Sequence, residues 1–372
     1  MQISSIIADA NRAIEKGDEV SAMLLFKQAG ELGDISAALD YAYFNMHSAP
    51  QEVIDYLYRI PTANNSTVQF HQLLIGYFNQ CFTDVHDVAK RLVALAKRGN
   101  SQASLVALSY LSTGSKPFSM VSSWLKSVSP NIWEQLSIYQ WCCKAYSDCT
   151  EQDIIDALII GLERDDFTSE VVDEHLPVTQ YVDVLSEFEC AYFVTRFSAL
   201  LRPSMVVDPQ TGEGKFDPIR TSYVAPITAN HCDWHVRKVD KLIATVSQTK
   251  ESHGEYLNLL RYSPGQEYKG HYDAIQVDAD CAIYNDGGQR CQTALIYLNS
   301  VNDGGNTTFP KLGKSIRPKA GSMVVFTNVD KDNKVKRKSY HAGETTISSN
   351  KWLLTKWIRE MPTTYGKLVH NN

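Results

Sequence analysis

His271-Tyr272-Asp273 and His341, 70 residues further on, are residues whose types and order could hold a metal. Residues two apart in a β-strand point to the same face, so His271 and Asp273 read as strand neighbours that reach one point inside a barrel. Two imidazoles and one carboxylate on one face of an octahedron hold Fe(II) and leave three positions open, two for a bidentate keto-acid and one for O2. Lys351 follows His341 by ten residues and opens the run Lys351-Trp352-Leu353-Leu354-Thr355-Lys356-Trp357. Its odd positions share a face, so Lys351, Thr355 and Trp357 can all point inward. A lysine in an apolar interior is costly unless it meets an anion, and the distal carboxylate of 2-oxoglutarate would be such an anion; taken alone, Lys351 reads more simply as a surface lysine that snorkels to solvent.

His-x-Asp alone is a weak signal, and the chain has a second one, His231-Cys232-Asp233. That copy sits where a helix begins, with Asp233 placed as its N-cap, and reads as a capping residue beside surface histidines. The eight cysteines (Cys81, Cys142, Cys143, Cys149, Cys190, Cys232, Cys281, Cys291) form no Cys-x-x-Cys pair and offer no zinc spacing. Cys142-Cys143 with Cys149 could be redox-active, but packing as small hydrophobes on helices is the favoured reading. Reduced thiols suit the cytoplasm.

The elements that must position these residues come from a chain of 372 residues, 44% apolar and 21% charged, with a formal net charge of -6. These are ordinary globular values, and the length suggests two domains or one large one. No apolar run approaches the ~18 residues that span a bilayer. Met1-Gln2-Ile3-Ser4-Ser5 lacks a basic segment followed by an apolar one, so a cytoplasmic location without membrane contact is expected. Residues 1–175 carry 12 Lys+Arg against 22 Asp+Glu, whereas 176–372 carry 24 against 20. The mildly basic half suits a small anionic ligand; without a cluster of cations and interleaved aromatics, nucleic acid is not an expected partner.

Residues 1 to about 175 read as helix after helix, with helical apolar spacing in Ala22-Leu25-Phe26-Ala29, Leu92-Leu95 and Ile154-Ile155-Ala157-Leu158. Gly33-Asp34-Ile35-Ser36-Ala37 is echoed 66 residues later by Gly99-Asn100-Ser101-Gln102-Ala103, in the range of helix-pair repeats. These turns resemble those of Sel1-like and tetratricopeptide repeats, which present a concave surface to peptides or proteins. An irregular helical bundle that supports the second half is the other reading. Beyond Pro177 the texture changes. Ser186-Glu187-Phe188-Glu189 is a capping box opening a helix through about Leu201, and a second helix follows Asp233. From Glu255 onward come short β-rich runs, Leu257–Tyr262, Tyr268–Ile275, Gln292–Asn299, Ser322–Asn328, Ser339–Thr346 and Trp352–Glu360. Many short strands without intervening helices predict an antiparallel jelly roll. The expected fold class is therefore α+β, with an all-α repeat domain over 1–175 followed by a double-stranded β-helix domain over 176–372.

Residues from about 178 to 361 resemble the prolyl 4-hydroxylase family of Fe(II)/2-oxoglutarate dioxygenases. The resemblance is carried, in order, by Ile219-Arg220-Thr221-Ser222; by Leu260 to Tyr268 running into His271-Tyr272-Asp273; by Gly288-Gln289-Arg290 with Ala294 to Asn299; by Gly304 to Pro310; and by His341-Ala342-Gly343 through Lys351-Trp352 to Lys356-Trp357. It implies that His271, Asp273 and His341 hold iron and that Lys351 holds the 2-oxoglutarate C5 carboxylate. It places Tyr262 and the Thr293 hydroxyl in the 2-oxoglutarate pocket, and Tyr268, Arg290 and Trp357 against the substrate proline or its backbone. Barrel-core packing is the plainer reading of Tyr268 and Trp357. The Gly-rich loop Asp208 to Lys215 falls where family members carry a mobile flap.

The implied activity is hydroxylation of peptidyl proline at the 4-position, of the procollagen-proline type, with 2-oxoglutarate and O2 as cosubstrates, succinate and CO2 as products, and ascorbate as an accessory reductant to be tested. A carboxylate at 273 speaks for hydroxylation rather than halogenation, and Lys rather than Arg at 351 is the collagen-type and plant-type choice. The implied partner is a proline-containing peptide or protein. Three readings stay open beside it: a hydroxylase of another residue or of a small molecule, a scaffold with an idle barrel, and an oxygen or redox sensor. The contacts that fix the tautomers of His271 and His341, the target protein and the oligomeric state are not legible at this level.

Overall fold

A computed structural model describes residues 2–111, 151–173, 176–207, 214–275 and 282–370. The chain divides into two compact units, Met1–Arg164 and Asp165–Asn372. The division lies ahead of the expected boundary at 175 because a strand precedes it: β1 (Ser169–Asp173) pairs antiparallel with β2 (Val178–Tyr181), Ser169 opposite Tyr181. Among the described residues no helix is long and apolar enough to cross a membrane.

The described part of the first unit is helical: α1 (Ile3–Glu15), α2 (Glu19–Glu31), α3 (Ile35–Asn45), α4 (Pro50–Arg59), α5 (Ser66–Phe78), α6 (Val85–Lys97), α7 (Ser101–Leu111) and α8 (Glu151–Glu163). The two echoed turns are the same device. Gly33 and Gly99 take φ of 105° and 81°, a left-handed conformation that costs a residue with a β-carbon about 1–2 kcal/mol. The next residue caps the following helix: Asp34 accepts from the Ala37 N–H at 2.8 Å, and Asn100 from the Ala103 N–H at 2.9 Å. Gly17-Asp18 is a third copy, with φ of 75° at the glycine and the Asp18 carboxylate accepting from the Ser21 N–H at 3.1 Å. In all three the N–H of the capping residue reaches the carbonyl five residues back, at 2.9, 3.1 and 3.0 Å for Asp18, Asp34 and Asn100, the closure of a Schellman turn. Cys142, Cys143 and Cys149 lie outside the described residues. Cys81, Cys190, Cys232 and Cys291 are free thiols.

The second unit adds β3 (Arg202–Pro203), β4 (Val206–Val207), β5 (Gly214–Lys215), β6 (Tyr223–Ile227), β7 (Leu257–Tyr262), β8 (Tyr268–His271), β9 (Arg290–Tyr297), β10 (Thr307–Phe309), β11 (Lys314–Ile316), β12 (Met323–Thr327), β13 (His341–Gly343) and β14 (Lys351–Arg359). Eight of them form a major sheet in the order β1-β2-β12-β9-β14-β7-β6-β3, and four form a minor sheet, β11-β10-β13-β8. β4 and β5 make a separate hairpin; residues 208–213 of the expected flap lie outside the described residues.

Both faces of the major sheet are buried at its central strands β7, β9, β12 and β14, which is why these read as apolar runs rather than alternating ones. One face, with Leu257, Leu259, Ala294, Ile296, Met323, Leu354 and Ile358, packs on α9 (Glu187–Phe197) and α10 (Trp234–Ser247) through Phe193, Phe197, Val236, Val239 and Ile243. The other, with Leu260, Tyr262, Leu295, Tyr297, Val324, Phe326 and Leu353, meets Phe309 and Ile316 of the minor sheet. Both helix starts form as expected. Ser186 and Glu189 complete the capping box, and Asp233 accepts from the His235 and Val236 N–H groups. His231 turns to the Thr228 hydroxyl at 3.1 Å, so the second His-x-Asp is a cap.

The helix-facing side of β14 carries one charge. The buried Lys356 ammonium pairs with Asp240 on α10. The Tyr365 hydroxyl and His370 Nε2 meet the other Asp240 oxygen at 2.8 Å each, from the segment around α12 (Thr364–Val369), with α11 (Ala282–Asn285) lying earlier in the chain. Burial alone would raise the Asp240 carboxyl, but Lys356 and the His370 imidazole hold it well below the usual carboxylate range. Asp240→Ala leaves all three partners facing a gap, and the cost of breaking a buried pair is about 3–5 kcal/mol. Urea denaturation of the purified variant should show a loss of that order; a loss below about 1 kcal/mol would contradict the role given to this network.

Candidate metal centre

β8 and β13 lie side by side in the minor sheet with His271 opposite His341. The two imidazoles and the Asp273 carboxylate offer one ligand atom each, all within 4.8 Å of one another. Both Nε2 atoms stand 3.5 Å from Asp273, one from each carboxylate oxygen. Each ring is fixed from behind by the carbonyl two residues earlier: His271 Nδ1 donates to Lys269 O at 2.8 Å and His341 Nδ1 to Ser339 O at 2.9 Å. A proton held on Nδ1 leaves the Nε2 lone pair facing the centre. Burial pushes His341 down to about 4, which keeps the ring neutral and able to ligate.

β8 ends at His271, so Asp273 reaches the centre from the bend that follows the strand rather than as a strand neighbour. Its bend is pinned by Gln289, whose amide accepts from the Ile275 N–H at 2.7 Å and donates to the Ile275 carbonyl at 2.9 Å. Burial would raise the Asp273 carboxyl, but the two imidazoles and the Thr293 hydroxyl hold it far below the carboxylate range. That hydroxyl donates to Asp273 Oδ2 at 2.7 Å and accepts from Asn328 Nδ2 at 2.9 Å. Thr293, read from the sequence as a 2-oxoglutarate-pocket residue, places its hydroxyl on the Asp273 carboxylate.

Behind the triad lies a cavity lined by, among others, Tyr262, Tyr268, Lys351, Thr355 and Trp357. Lys351 and Tyr262 are register partners on β14 and β7, and the Lys351 Nζ lies 5.6 Å from the Tyr262 ring centre and 5.5 Å from that of Tyr297. Lys351 is 2% exposed, and burial pulls its pKa down to about 7. Tyr268 stacks on the His271 ring at 3.5 Å between centres. Arg290 stands apart from the lining: its guanidinium forks onto Glu255 at 2.7 and 2.9 Å and stacks 3.7 Å over the Trp357 ring. The lining includes Arg220, which lies 4.9 Å over Tyr268 and to which the sequence reading gave no role. Glu255, Gln289 and Asn328 were likewise missed; their partners are fixed by the fold and not by any local pattern.

The donor set fits a divalent transition metal: two imidazoles with assigned tautomers and an ionised carboxylate on one side, the cavity on the other. Thr293→Val removes the hydroxyl that holds Asp273 and strands the Asn328 amide. Contacts of this kind are worth about 10–100-fold in metal affinity. Titration with Co(II), followed by absorbance, should show a loss in that range with an unchanged ligand spectrum.

Residues 257–359 match the family model described as the 2OG-Fe(II) oxygenase superfamily. Over 211 residues the chain is 32% identical to "Probable prolyl 4-hydroxylase 10" of Arabidopsis thaliana, covering 51% of this chain and 71% of that protein. Over 195 residues it is 34% identical to "Prolyl 4-hydroxylase 1" of the same organism, covering 49% and 68%. Among solved structures, the collagen prolyl hydroxylase of Paramecium Bursaria Chlorella virus-1 in its 2OG complex aligns with 49% of this chain and 94% of its own, at 26% identity and a TM-score of 0.39. With about a third of the aligned residues identical over more than two thirds of each of these plant proteins, this chain belongs to the prolyl 4-hydroxylase family.

Proposed function

We propose that this protein is an Fe(II)- and 2-oxoglutarate-dependent dioxygenase that hydroxylates peptidyl proline at the 4-position in a protein substrate. The observation that carries the reading is the approach of His271, Asp273 and His341 to one point, across a cavity from a buried lysine. Its relatives are named prolyl 4-hydroxylases, which supplies the substrate class. With Fe(II) held by the triad, the oxidative decarboxylation of 2-oxoglutarate by O2 yields succinate and CO2 and places the second oxygen atom on the substrate carbon as a hydroxyl.

This chain's residues contribute position and dryness. Lys351 takes the C5 carboxylate of 2-oxoglutarate, and the Tyr262 hydroxyl donates beside it. Thr293 keeps Asp273 ionised and aimed. Tyr268 and Trp357 give the substrate proline two flat apolar walls, and Arg290, tied to Glu255 and stacked on the Trp357 ring, meets the peptide backbone beside them. We assign the helical unit as a Sel1-like or tetratricopeptide-like recruiter of the protein substrate, and the cytoplasm as the location.

The test is succinate formation from 2-oxoglutarate by the Fe(II)-loaded protein, with and without proline-containing peptides and with ascorbate as a variable. Stimulated turnover, a 16-dalton gain on proline and loss of both in His271→Ala are expected. Basal turnover that no proline peptide stimulates would move the substrate to another residue or a small molecule, and no Fe(II)-dependent turnover at all would sink the enzyme reading.

Lys351 supplies two further expectations. Lys351→Met removes a charge-assisted contact of about 1.5–3 kcal/mol, so the KM for 2-oxoglutarate should rise roughly 10–100-fold. The pH dependence has a definite sign. Below about 7 Lys351 is already charged and the carboxylate binds it at no proton cost. Above that value a proton must be taken up on binding, so affinity should weaken by up to about tenfold per pH unit. Calorimetry of the Mn(II)-loaded protein in buffers of different ionisation heat reads both; proton release at pH 8 would reverse the argument.

A further inference from the structure

Among the described residues of the helical unit, two cavities differ in electrical character. One is balanced: Lys27 and Arg59 face Glu31 and Glu52. The other, about 320 Å³, lies among α4, α5 and α6 and is lined by Tyr58, Gln69, Gln72, Arg91, Ala94, Leu95 and Arg98, two cations with no carboxylate. It is a cationic hollow in the more acidic part of the chain, so it is not one patch of a generally basic surface.

Its hydrogen-bonding groups are mostly donors. Gln72 is 4% exposed, and its amide nitrogen is buried with no hydrogen-bond partner among the described residues. Leaving such a group unmade costs about 1–3 kcal/mol, which a ligand acceptor would recover. Among the described residues Arg98 meets neutral oxygens, the Gln69 side chain and the Asn64 carbonyl, the latter at 2.7 Å. Arg91 is half-neutralised: Asp87 takes its Nε at 2.7 Å, and its Nη1 donates to the Tyr58 hydroxyl at 2.9 Å, which leaves the Tyr58 proton to give onward. Ala94 and Leu95 supply an apolar wall.

We infer that this hollow is a carboxylate-binding site for a glutamate or aspartate side chain presented by an acidic segment of a protein partner. The carboxylate takes two forked donors from Arg98 or Arg91 and a third from Gln72, and the aliphatic stem lies on Ala94 and Leu95. The volume holds one or two side chains, so the site anchors a segment rather than swallowing a cofactor. That the partner is the hydroxylase's own substrate rests on the proposed function; the binding itself does not.

Fluorescence anisotropy of the full chain tests it with three labelled peptides: one with a run of glutamates, the same peptide with glutamines, and a phosphoserine version. The glutamate peptide should bind at least about tenfold more tightly than the glutamine one. Arg98→Gln should lose about tenfold while leaving succinate formation with a short neutral proline peptide unchanged. Gln72→Leu should lose binding severalfold with a thermal midpoint equal to or above wild type, since it deletes an unpartnered buried amide. His271→Ala should bind as wild type, which separates this inference from the catalytic reading. Equal binding of the glutamate and glutamine peptides, wild-type binding by Arg98→Gln, or a lowered midpoint with unchanged binding in Gln72→Leu would each overturn the site. Capture of the phosphopeptide alone would reassign it to phosphate.

Discussion

One buried negative charge organises the second unit. The Asp273 carboxylate is 7% exposed, and ionised groups do not persist in such surroundings unless their environment is built for them. Two imidazoles and one hydroxyl do the building, and the hydroxyl ties the carboxylate to the major sheet. Thr293 sits on β9 with Trp357 opposite it on one neighbouring strand and Phe326 opposite it on the other. The register of three strands thus decides where a single proton points. α9 and α10 pack on the far face of the same sheet.

The major sheet is consequently a partition between two interiors. On its helix side are the apolar contacts of α9 and α10 and an ionic network around Asp240. On its other side are the aromatics, the cavity and Lys351, a cation among the described residues whose acidic influence, Glu344, lies beyond ion-pair distance. The contrast between the two lysines of β14 is physically informative. Lys356 has found its carboxylate within the fold, whereas Lys351 faces a space, which is the condition of a group kept for something that arrives later.

Much of this was legible in the sequence because the signal was local. The order His-x-Asp, His, Lys named the centre, and period-two spacing named the inward lysine but misplaced Asp273, which reaches the centre from the bend after β8; glycine before Asp or Asn marked two of the helix turns. The third turn, Gly17-Asp18, escaped because it falls outside the 66-residue offset that made the other pair visible. What was not legible depended on partners far away in the chain. Thr293 lies 20 residues from Asp273, Arg290 lies 35 from Glu255, and Lys356 lies 116 from Asp240. A hydroxyl or a guanidinium shows its type in the sequence, but which acceptor claims it is settled by packing. The strand at Ser169–Asp173 went unread for another reason: it is a short, largely exposed edge with no apolar alternation to announce it.

β14 carries Lys351 on one face and Lys356 on the other, five residues apart, each buried and each committed to a different side of the sheet. Because neighbouring positions of a strand alternate faces, losing or gaining one residue between them cannot be absorbed by sliding the strand. Any slide that restores one lysine carries the other into the wrong interior. Length variation in this family member is therefore barred from that stretch by charge as well as by shape, and substitution is the route by which Trp352 to Thr355 can diverge.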